Sequence, residues 1–422
     1  MAFILLFFFL AFLFIIKCYL NRMPPDPSGK YPTPGPWFYI KRFIYLRLIR
    51  HSPMKSTSYG ALREQEMHGN NKSGNPSISQ QLSTGDLEAP QKLVDNPYAI
   101  DSAYFTAFSE VEKSFIITRV ARRPGNCSEV WLFMRVDGIG DFELPEHPIT
   151  LLATEVNNSW IAGGLTMTCV QPYQKWRISF DGQLRKGPFQ HVRKGGDVSV
   201  HVKFSMLWSA TTDVFDFDSD FHPNTAAEAM ALEPLTLEFL TAVKKSKNEH
   251  CRYEQWGSLL AEVSIGGDAE RRMSFSGIRS HSYGVRNWMD FHRYVMFLMQ
   301  FENGMSVHLN IISLPKTTRH FITGYVFFPD GKKAGIEWSD AHLLNLADDH
   351  VIEEHYRICF TAGGQTFEVS ATLDSKNSPL IYNPSLNSSS KPTAGITHEC
   401  IATFRVGTGG RGWGLVEFFY GG

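Results

Sequence analysis

Twelve residues, Gly277-Ile-Arg-Ser-His-Ser-Tyr-Gly-Val-Arg-Asn-Trp288, gather two arginines (Arg279, Arg286), a histidine (His281) and two aromatics (Tyr283, Trp288). Burying an unpaired charge is costly, so a core strand does not collect such residues without a reason. Histidine exchanges protons near neutral pH, and arginine binds or neutralises carboxylates. His250, Tyr253, Glu254 and Trp256 precede the segment, and Asp290, His292 and Arg293 follow it. Glu254 and His281 are therefore the candidate acid and base of a pocket. The alternative is a hairpin corner in which Arg279 and Arg286 neutralise Glu254 and Asp290, and the residue types leave both readings open.

Other chemistries find less support. Asp216, Asp218 and Asp220 imitate a calcium loop, but its sixth position, which requires glycine, is Phe221 and its twelfth, which requires glutamate, is Ala227. A strand over 213–222 is expected instead, with phenylalanine on one face and aspartate on the other. Gly407–Gly414 is glycine-rich but lacks the Lys-Ser/Thr of a phosphate loop, so a hairpin turn is expected there. His398 and Cys400 offer two metal ligands without a third. No Gly-x-Ser-x-Gly elbow is present. The chain is thus expected to use no metal and no cofactor.

The elements that must position these residues are mostly strands. From Tyr98 onward, segments such as Ser114-Phe-Ile-Ile-Thr-Arg-Val, Glu129-Val-Trp-Leu-Phe-Met-Arg-Val and Lys175-Trp-Arg-Ile-Ser-Phe are short, β-branched or aromatic, and separated by glycine turns. Evenly spaced strands with turn signals predict a sandwich or barrel. One alanine- and leucine-rich stretch, 224–248, reads as helix, split at Pro234. The 422 residues divide as a first β-barrel over 98–222, a helical connector over 223–250 and a second β-barrel over 251–422. Each half is about the size of an eight-stranded barrel with its loops.

The N-terminus is of another kind. Ala2 to Ile16 is uninterrupted apolar sequence. As a helix it reaches about 22 Å, and counting on to Leu20 about 28 Å, close to the ~30 Å of a hydrocarbon core. It lacks the basic start and small-residue cleavage site of a signal peptide. A membrane anchor over 1–22 is expected, an N-terminal transmembrane helix with the body facing the cytosol, as in an endoplasmic-reticulum protein. Between Lys17 and Arg63 there are nine Lys or Arg against a single acid, Asp26, while the whole chain carries −1. The basic part suits an anionic membrane, and the acidic remainder argues against a nucleic-acid partner. A proline-rich and basic juxtamembrane segment spans 23–53. Its Trp37–Arg50 part is expected to lie in the headgroup zone, the alternative being a helix docked on the body. A flexible polar linker over 54–97 follows. Six cysteines without a C-x-x-C pair fit a reducing compartment.

Three motifs carry a family resemblance. Tyr253-Glu-Gln-Trp-Gly257, Gly277-x-Arg-x-His-Ser-Tyr-Gly-x-Arg-x-Trp288 and Gly410-Arg-Gly-Trp-Gly-x-x-Glu417 resemble the two-barrel lipocalin-like proteins. That group includes carotenoid hydratases, tocopherol cyclase, fungal Diels–Alderase-type cyclases and survival-factor-type lipid-binding proteins. In the N-terminal half, Arg122-Arg-Pro, Glu129-Val-Trp-Leu and Leu144-Pro-Glu-His-Pro148 are similar to the segment that precedes phosphoenolpyruvate-synthase-like phosphotransferase domains in invertebrate chains. Ser280 stands where the family motif has aspartate, and Tyr283 where it has tryptophan.

The resemblance implies two packed up-and-down barrels around an apolar ligand. It implies binding, and conversion by hydration, cyclisation or isomerisation, of a terpenoid, polyketide or lipid. His281 or Glu254 would supply the proton. Arg279, Tyr283, Arg286, Trp288, Trp256, Trp413 and Glu417 would bind the ligand, with Trp256, Trp288 and Trp413 stabilising a cationic centre. The rival expectations are a lipid carrier without chemistry and an accessory module of a separate phosphotransferase partner.

Overall fold

The computed structural model describes residues 2–20, 29–51 and 84–422, apart from 155, 157, 190–197, 376 and 387–392. The prolines at 24–27 and the linker up to 83 lie outside the described residues.

Twelve strands form the first sheet: β1 (Ala99–Ser109), β2 (Ser114–Arg123), β3 (Cys127–Val136), β4 (Gly140–Glu143), β5 (Leu151–Ala153), β6 (Trp160–Ala162), β7 (Leu165–Gln171), β8 (Lys175–Lys186), β9 (Val198–Ala210), β10 (Phe215–Asp216), β11 (His250–Ile265) and β12 (Arg271–Val285). Eight of them close in the order β11-β12-β1-β2-β3-β4-β8-β9, with β9 returning to β11. Nine strands form the second: β13 (Arg293–Phe301), β14 (Ser306–Ser313), β15 (Phe321–Phe327), β16 (Lys333–Ser339), β17 (His355–Ala362), β18 (Gln365–Asp374), β19 (Leu380–Pro384), β20 (Thr393–Val406) and β21 (Gly410–Gly421). Here β18 pairs with β20 and closes a second eight-stranded antiparallel barrel. The expected pair of barrels is what the chain builds.

Burial along each strand tells which way it faces. β8 and β9 alternate, sending Trp176, Ile178, Phe180, Phe204, Met206 and Trp208 into the first lumen and polar residues to water. β2 is buried at every position because its outer face meets the second barrel. Side chains fill both lumens. Between the barrels lies a third layer, rich in rings, with Tyr104, Trp131, Trp256 and Trp288 from the first barrel and Tyr294, Tyr325 and Phe419 from the second.

The structure corrects several expectations. Strands β11 and β12, expected in the second barrel from residue 251, pair with β1 and β9 and complete the first. The chain must pass through the helical connector before it can close the sheet it began. Over 213–222 only Phe215–Asp216 is strand. The rest turns, with Asp216 Oδ1 accepting from the Asp218 N–H at 2.8 Å. Gly277 is needed where β12 crosses β1, because a Cβ there would lie 2.0 Å from the Thr106 carbonyl oxygen.

Helix α1 (Ala2–Leu20) exposes the apolar side chains described from Phe3 to Ile15, such as Phe3, Phe7 and Phe12. Among the described residues no helix is long and apolar enough to cross a membrane, so the expected transmembrane helix is not supported. Helix α2 (Phe38–Arg50) is docked on the body by one face, while Trp37, Phe43 and Leu48 stay exposed. Phe38 and Tyr45 are buried against Ala227, Ala231 and Phe239 of the connector, and Lys41 Nζ donates to the Glu233 carbonyl at 2.5 Å. The end of the expected flexible linker is also fastened. A four-residue helix α3 (Thr84–Leu87) leads into Glu88, which is 2% exposed. The connector is α4 (Pro223–Leu232) and α5 (Leu237–Glu249), split at Pro234 as expected.

Candidate functional site

The hairpin of β11 and β12 sorts the candidate residues onto two faces. Its register pairs Tyr253 with His281, Glu254 with Ser280 and Gln255 with Arg279. Cross-strand partners point the same way and neighbours along a strand point oppositely. His281 and Arg279 therefore share the lumen side with Tyr253 and Gln255, while Glu254 faces the second barrel. The expected acid–base pair of Glu254 and His281 is separated by the sheet itself.

On the lumen side His281, Asp101, Arg279 and Glu88 are joined by buried hydrogen bonds. His281 Nε2 meets Asp101 Oδ1 at 2.8 Å, and its Nδ1 meets the Tyr253 hydroxyl at 2.6 Å. Asp101 Oδ2 also accepts from Arg122 Nη1 at 2.7 Å. Arg279 Nη1 donates to Glu88 Oε1 at 2.7 Å, and Arg279 lies over the rings of Trp176, Trp208 and Tyr253. Burial pushes the Glu88 carboxyl up, but Arg279, His281 and bonds from Tyr253 and Trp176 outweigh it and hold the group below the usual carboxylate range. Burial, then Glu88, drives the Tyr253 phenol well above its ordinary value. Asp101 on β1 is thus the carboxylate that orders His281. Changing His281 to alanine leaves Asp101 Oδ1 without its buried partner while Tyr253 keeps Glu88, and the orphaned acceptor costs about 1–3 kcal/mol. The expected result in a urea melt is a loss of stability, and unchanged stability would contradict the lock described here.

The opposite face is where the two barrels exchange charge. Glu254 Oε2 meets His308 Nδ1 of β14 at 2.7 Å and accepts from the Tyr325 hydroxyl of β15 at 2.9 Å, while Oε1 accepts from Arg252 Nε at 2.8 Å. Burial would raise this carboxyl, yet Arg252, His308 and these bonds bring it down to about 2. His308 is 0% exposed, and its second ring nitrogen, Nε2, has no hydrogen-bond partner. The imidazole is held by a carboxylate on one side and presents a free nitrogen on the other, the arrangement a proton-transfer histidine requires.

A second group lies along the same layer. Glu129 accepts from Arg119 Nη1 at 2.9 Å, from Arg123 Nε at 2.6 Å and from Trp288 Nε1 at 3.2 Å. Arg286 donates to His250 Nε2 at 2.9 Å, and its guanidinium lies 5.7 Å from the Trp288 ring centre. Burial and the nearby Arg119, Arg252 and Arg123 pull Arg286 down to about 9. In the second barrel Glu399 and Glu417 are direct cross-strand partners, and Tyr294 donates its hydroxyl to Glu417. Burial first, then Glu417, raises the Glu399 carboxyl well above its usual value. Two buried carboxyls side by side cannot both ionise, so the pair retains a proton.

That retained proton has a measurable sign. Above pH 4.5, the ordinary value, unfolded Glu399 is ionised while folded Glu399 stays protonated. The folded state then binds more protons, and its stability falls as pH rises. Glu399→Gln removes this term. Relative to the variant, wild type is expected to lose up to about 1.4 kcal/mol per pH unit above that point. Denaturation curves from pH 4 to 8 check this, and parallel pH profiles would contradict it.

Of the expected ligand-binding residues, Trp256, Trp288 and Glu417 are buried in this layer, Trp413 packs against it and Arg286 borders it. Arg279 lies on the lumen side. Tyr283 is half-buried, and burial followed by Cys251 raises its phenol. Sequence reasoning missed Glu88, Asp101, His308, Tyr325 and Glu399. One signal existed, since Ser306, His308 and Asn310 occupy one face of β14 opposite Val307, Leu309 and Ile311. The others come from distant segments and have no local mark. Among the described residues no group of three or more His, Cys, Asp or Glu could hold a metal ion, and the five described cysteines are free.

Three solved structures resemble this fold. An AttH-type protein from Nitrosomonas europaea has 8% identity, covers 78% of this chain and 98% of its own, and gives a TM-score of 0.45. Kievitone hydratase from Nectria haematococca has 10% identity, 77% and 89% coverage and a TM-score of 0.44. CghA has 11% identity, 77% and 88% coverage and a TM-score of 0.43. No residue role is carried over from them, and the likeness to the phosphotransferase-linked segment finds no support in these comparisons. No curated protein matches the chain. Over residues 3–420 the chain matches the family of unknown function DUF8627, and it belongs to that family.

Proposed function

We propose that this protein binds an apolar small molecule between its two barrels and converts it by proton transfer, without redox chemistry. The observation that carries the reading is the Glu254–His308 pair, whose free Nε2 lies in a layer of aromatic rings. Three further polar atoms of that layer, Asn310 Oδ1, Trp131 Nε1 and Trp413 Nε1, also lack a partner within the chain. Buried polar groups are ordinarily satisfied, so unmatched ones gathered among rings suit a ligand with a few polar atoms.

His308, as an imidazolium held by Glu254, can give its Nε2 proton to an alkene carbon of the ligand, leaving a carbocation beside Phe217 and Tyr325. In hydration, water adds to the cation and its surplus proton returns to His308. In isomerisation or cyclisation, His308 takes a proton from a neighbouring carbon instead. Glu254 stays ionised and stabilises the imidazolium. Helix α1 supports a place at a membrane, since its exposed phenylalanines, leucines and isoleucines suit the surface where apolar ligands partition. The basic residues after it favour the anionic cytosolic leaflet, as at the endoplasmic reticulum.

The test is to purify the full chain with its lipids, identify the apolar compound that accompanies it by mass spectrometry, and incubate the two in heavy water. Deuterium on ligand carbon, or gain of one water, is the expected result. A bulk lipid recovered unlabelled would overturn the reading in favour of a carrier.

A further inference from the structure

The mouth of the first barrel is furnished for one carboxylate. Glu88 reaches it from outside the barrel, as the residue after α3. Four donors converge on its two oxygens. Arg279 Nη1 and the Tyr253 hydroxyl reach Oε1, both at 2.7 Å, and Trp176 Nε1 at 3.0 Å and the Tyr173 N–H at 3.1 Å reach Oε2. These donors stand on β8, β11, β12 and the turn before β8, so the barrel positions all of them without help from the segment that carries Glu88. The wall around them is aromatic, formed by Trp176, Trp208 and Tyr253 under the guanidinium. The Arg279 Nε is buried and has no hydrogen-bond partner, so the carboxylate leaves part of the fork unused.

Leu87 enters with Glu88 and is 1% exposed. Side by side the two present a branched apolar chain and a carboxylate, the features of an aliphatic acid. Four residues on, the same segment lines an open depression of about 840 Å³ with Lys92, Val94, Pro97 and Pro124. The backbone N–H of Gln91, between them, donates to Asp101 Oδ2, so the segment also rests on the group that holds His281.

We propose that this mouth is a recognition site for the carboxylate of an aliphatic acid, and that Leu87 and Glu88 are its internal occupant, which such an acid displaces. Arg279 pairs with the incoming carboxylate, Tyr253, Trp176 and the Tyr173 N–H complete its hydrogen bonds, and the acid's chain follows the course left by Leu87. No bond is made or broken. The site lies on the lumen side of β11 and β12, away from His308, and does not depend on the chemistry assigned to the other face.

An internal competitor lowers the apparent affinity of an external ligand by the fraction of time it occupies the site. Glu88→Gln keeps the size of the side chain and weakens its hold on Arg279. Titrated with cis-parinaric acid and read by fluorescence in the full chain, this variant is expected to bind at least about tenfold more tightly than wild type. Equal affinities would overturn the proposal. The second measurement uses Glu88→Ala, whose melting temperature is expected to be lower than wild type and to be restored by sodium isovalerate but not by isovaleramide or sodium chloride. The same rescue is expected to vanish when Arg279→Leu is added. Rescue by the amide or the chloride, or rescue that survives Arg279→Leu, would show that no carboxylate site exists. Both variants leave Glu254 and His308 in place, so deuterium incorporation into the apolar ligand reports separately on the inter-barrel reading.

Discussion

His308→Gln is expected to leave the chain folded and to lower proton exchange into its apolar ligand by about 10²–10⁴-fold. Glutamine is close to histidine in reach and still bonds to Glu254, so the Glu254 carboxylate keeps a partner at the position His308 Nδ1 occupies at 2.7 Å. What the change removes is the group that can take up and release a proton. The two halves of the expectation are read separately. Circular dichroism melts follow the fold, and mass spectrometry follows deuterium uptake in heavy water. Uptake that persists in a folded variant would remove His308 from the mechanism. Loss of fold without loss of specific uptake would make the pair a structural bridge.

Glu254→Ala should cost the fold about 3–5 kcal/mol. The carboxylate is fully buried and answers Arg252 from its own strand together with His308 and Tyr325 from the other barrel. Its removal leaves a cation and two polar groups in a low-dielectric layer without their acceptor. The pH dependence follows from the direction of its shift. The folded carboxyl titrates at about 2 against an ordinary 4.5, so its contribution is fully present above pH 4.5 and fades as pH falls toward 2. The gap between wild type and variant in urea denaturation should therefore be widest at pH 6–7 and narrow at pH 3. A variant within about 1 kcal/mol of wild type at neutral pH would mean that Glu254 is not what holds the barrels together.

Parts of the site were legible in the residues. The stretch 277–288 did contain buried charge, and its salt-bridge reading and its functional reading each describe one side of the same hairpin. The register that pairs residue 253 with 281, and separates Glu254 from His281, was not legible. A two-residue turn at Gly266-Gly267 would pair 253 with 280, one step off the observed register, and a one-residue slip moves every side chain to the other face. The partners themselves were not legible. Glu88 lies 191 residues from Arg279 and Asp101 lies 180 from His281. Nothing local marks a polar linker residue as the acceptor of four buried donors.

By itself the sequence determined the strand texture, the helical break at Pro234 and the hairpin turn after Val406, because these rest on alternation, ring closure and glycine at single positions. It also placed Glu417 and three tryptophans among residues worth watching. The tertiary structure decided which barrel owns β11 and β12, which face each charged residue meets, and that Glu254 works against His308 rather than His281. The physical reason is that closing a sheet and docking a second barrel onto it are long-range events. They set the partner of every buried charge, and a buried charge has no meaning in isolation from the partner that neutralises it.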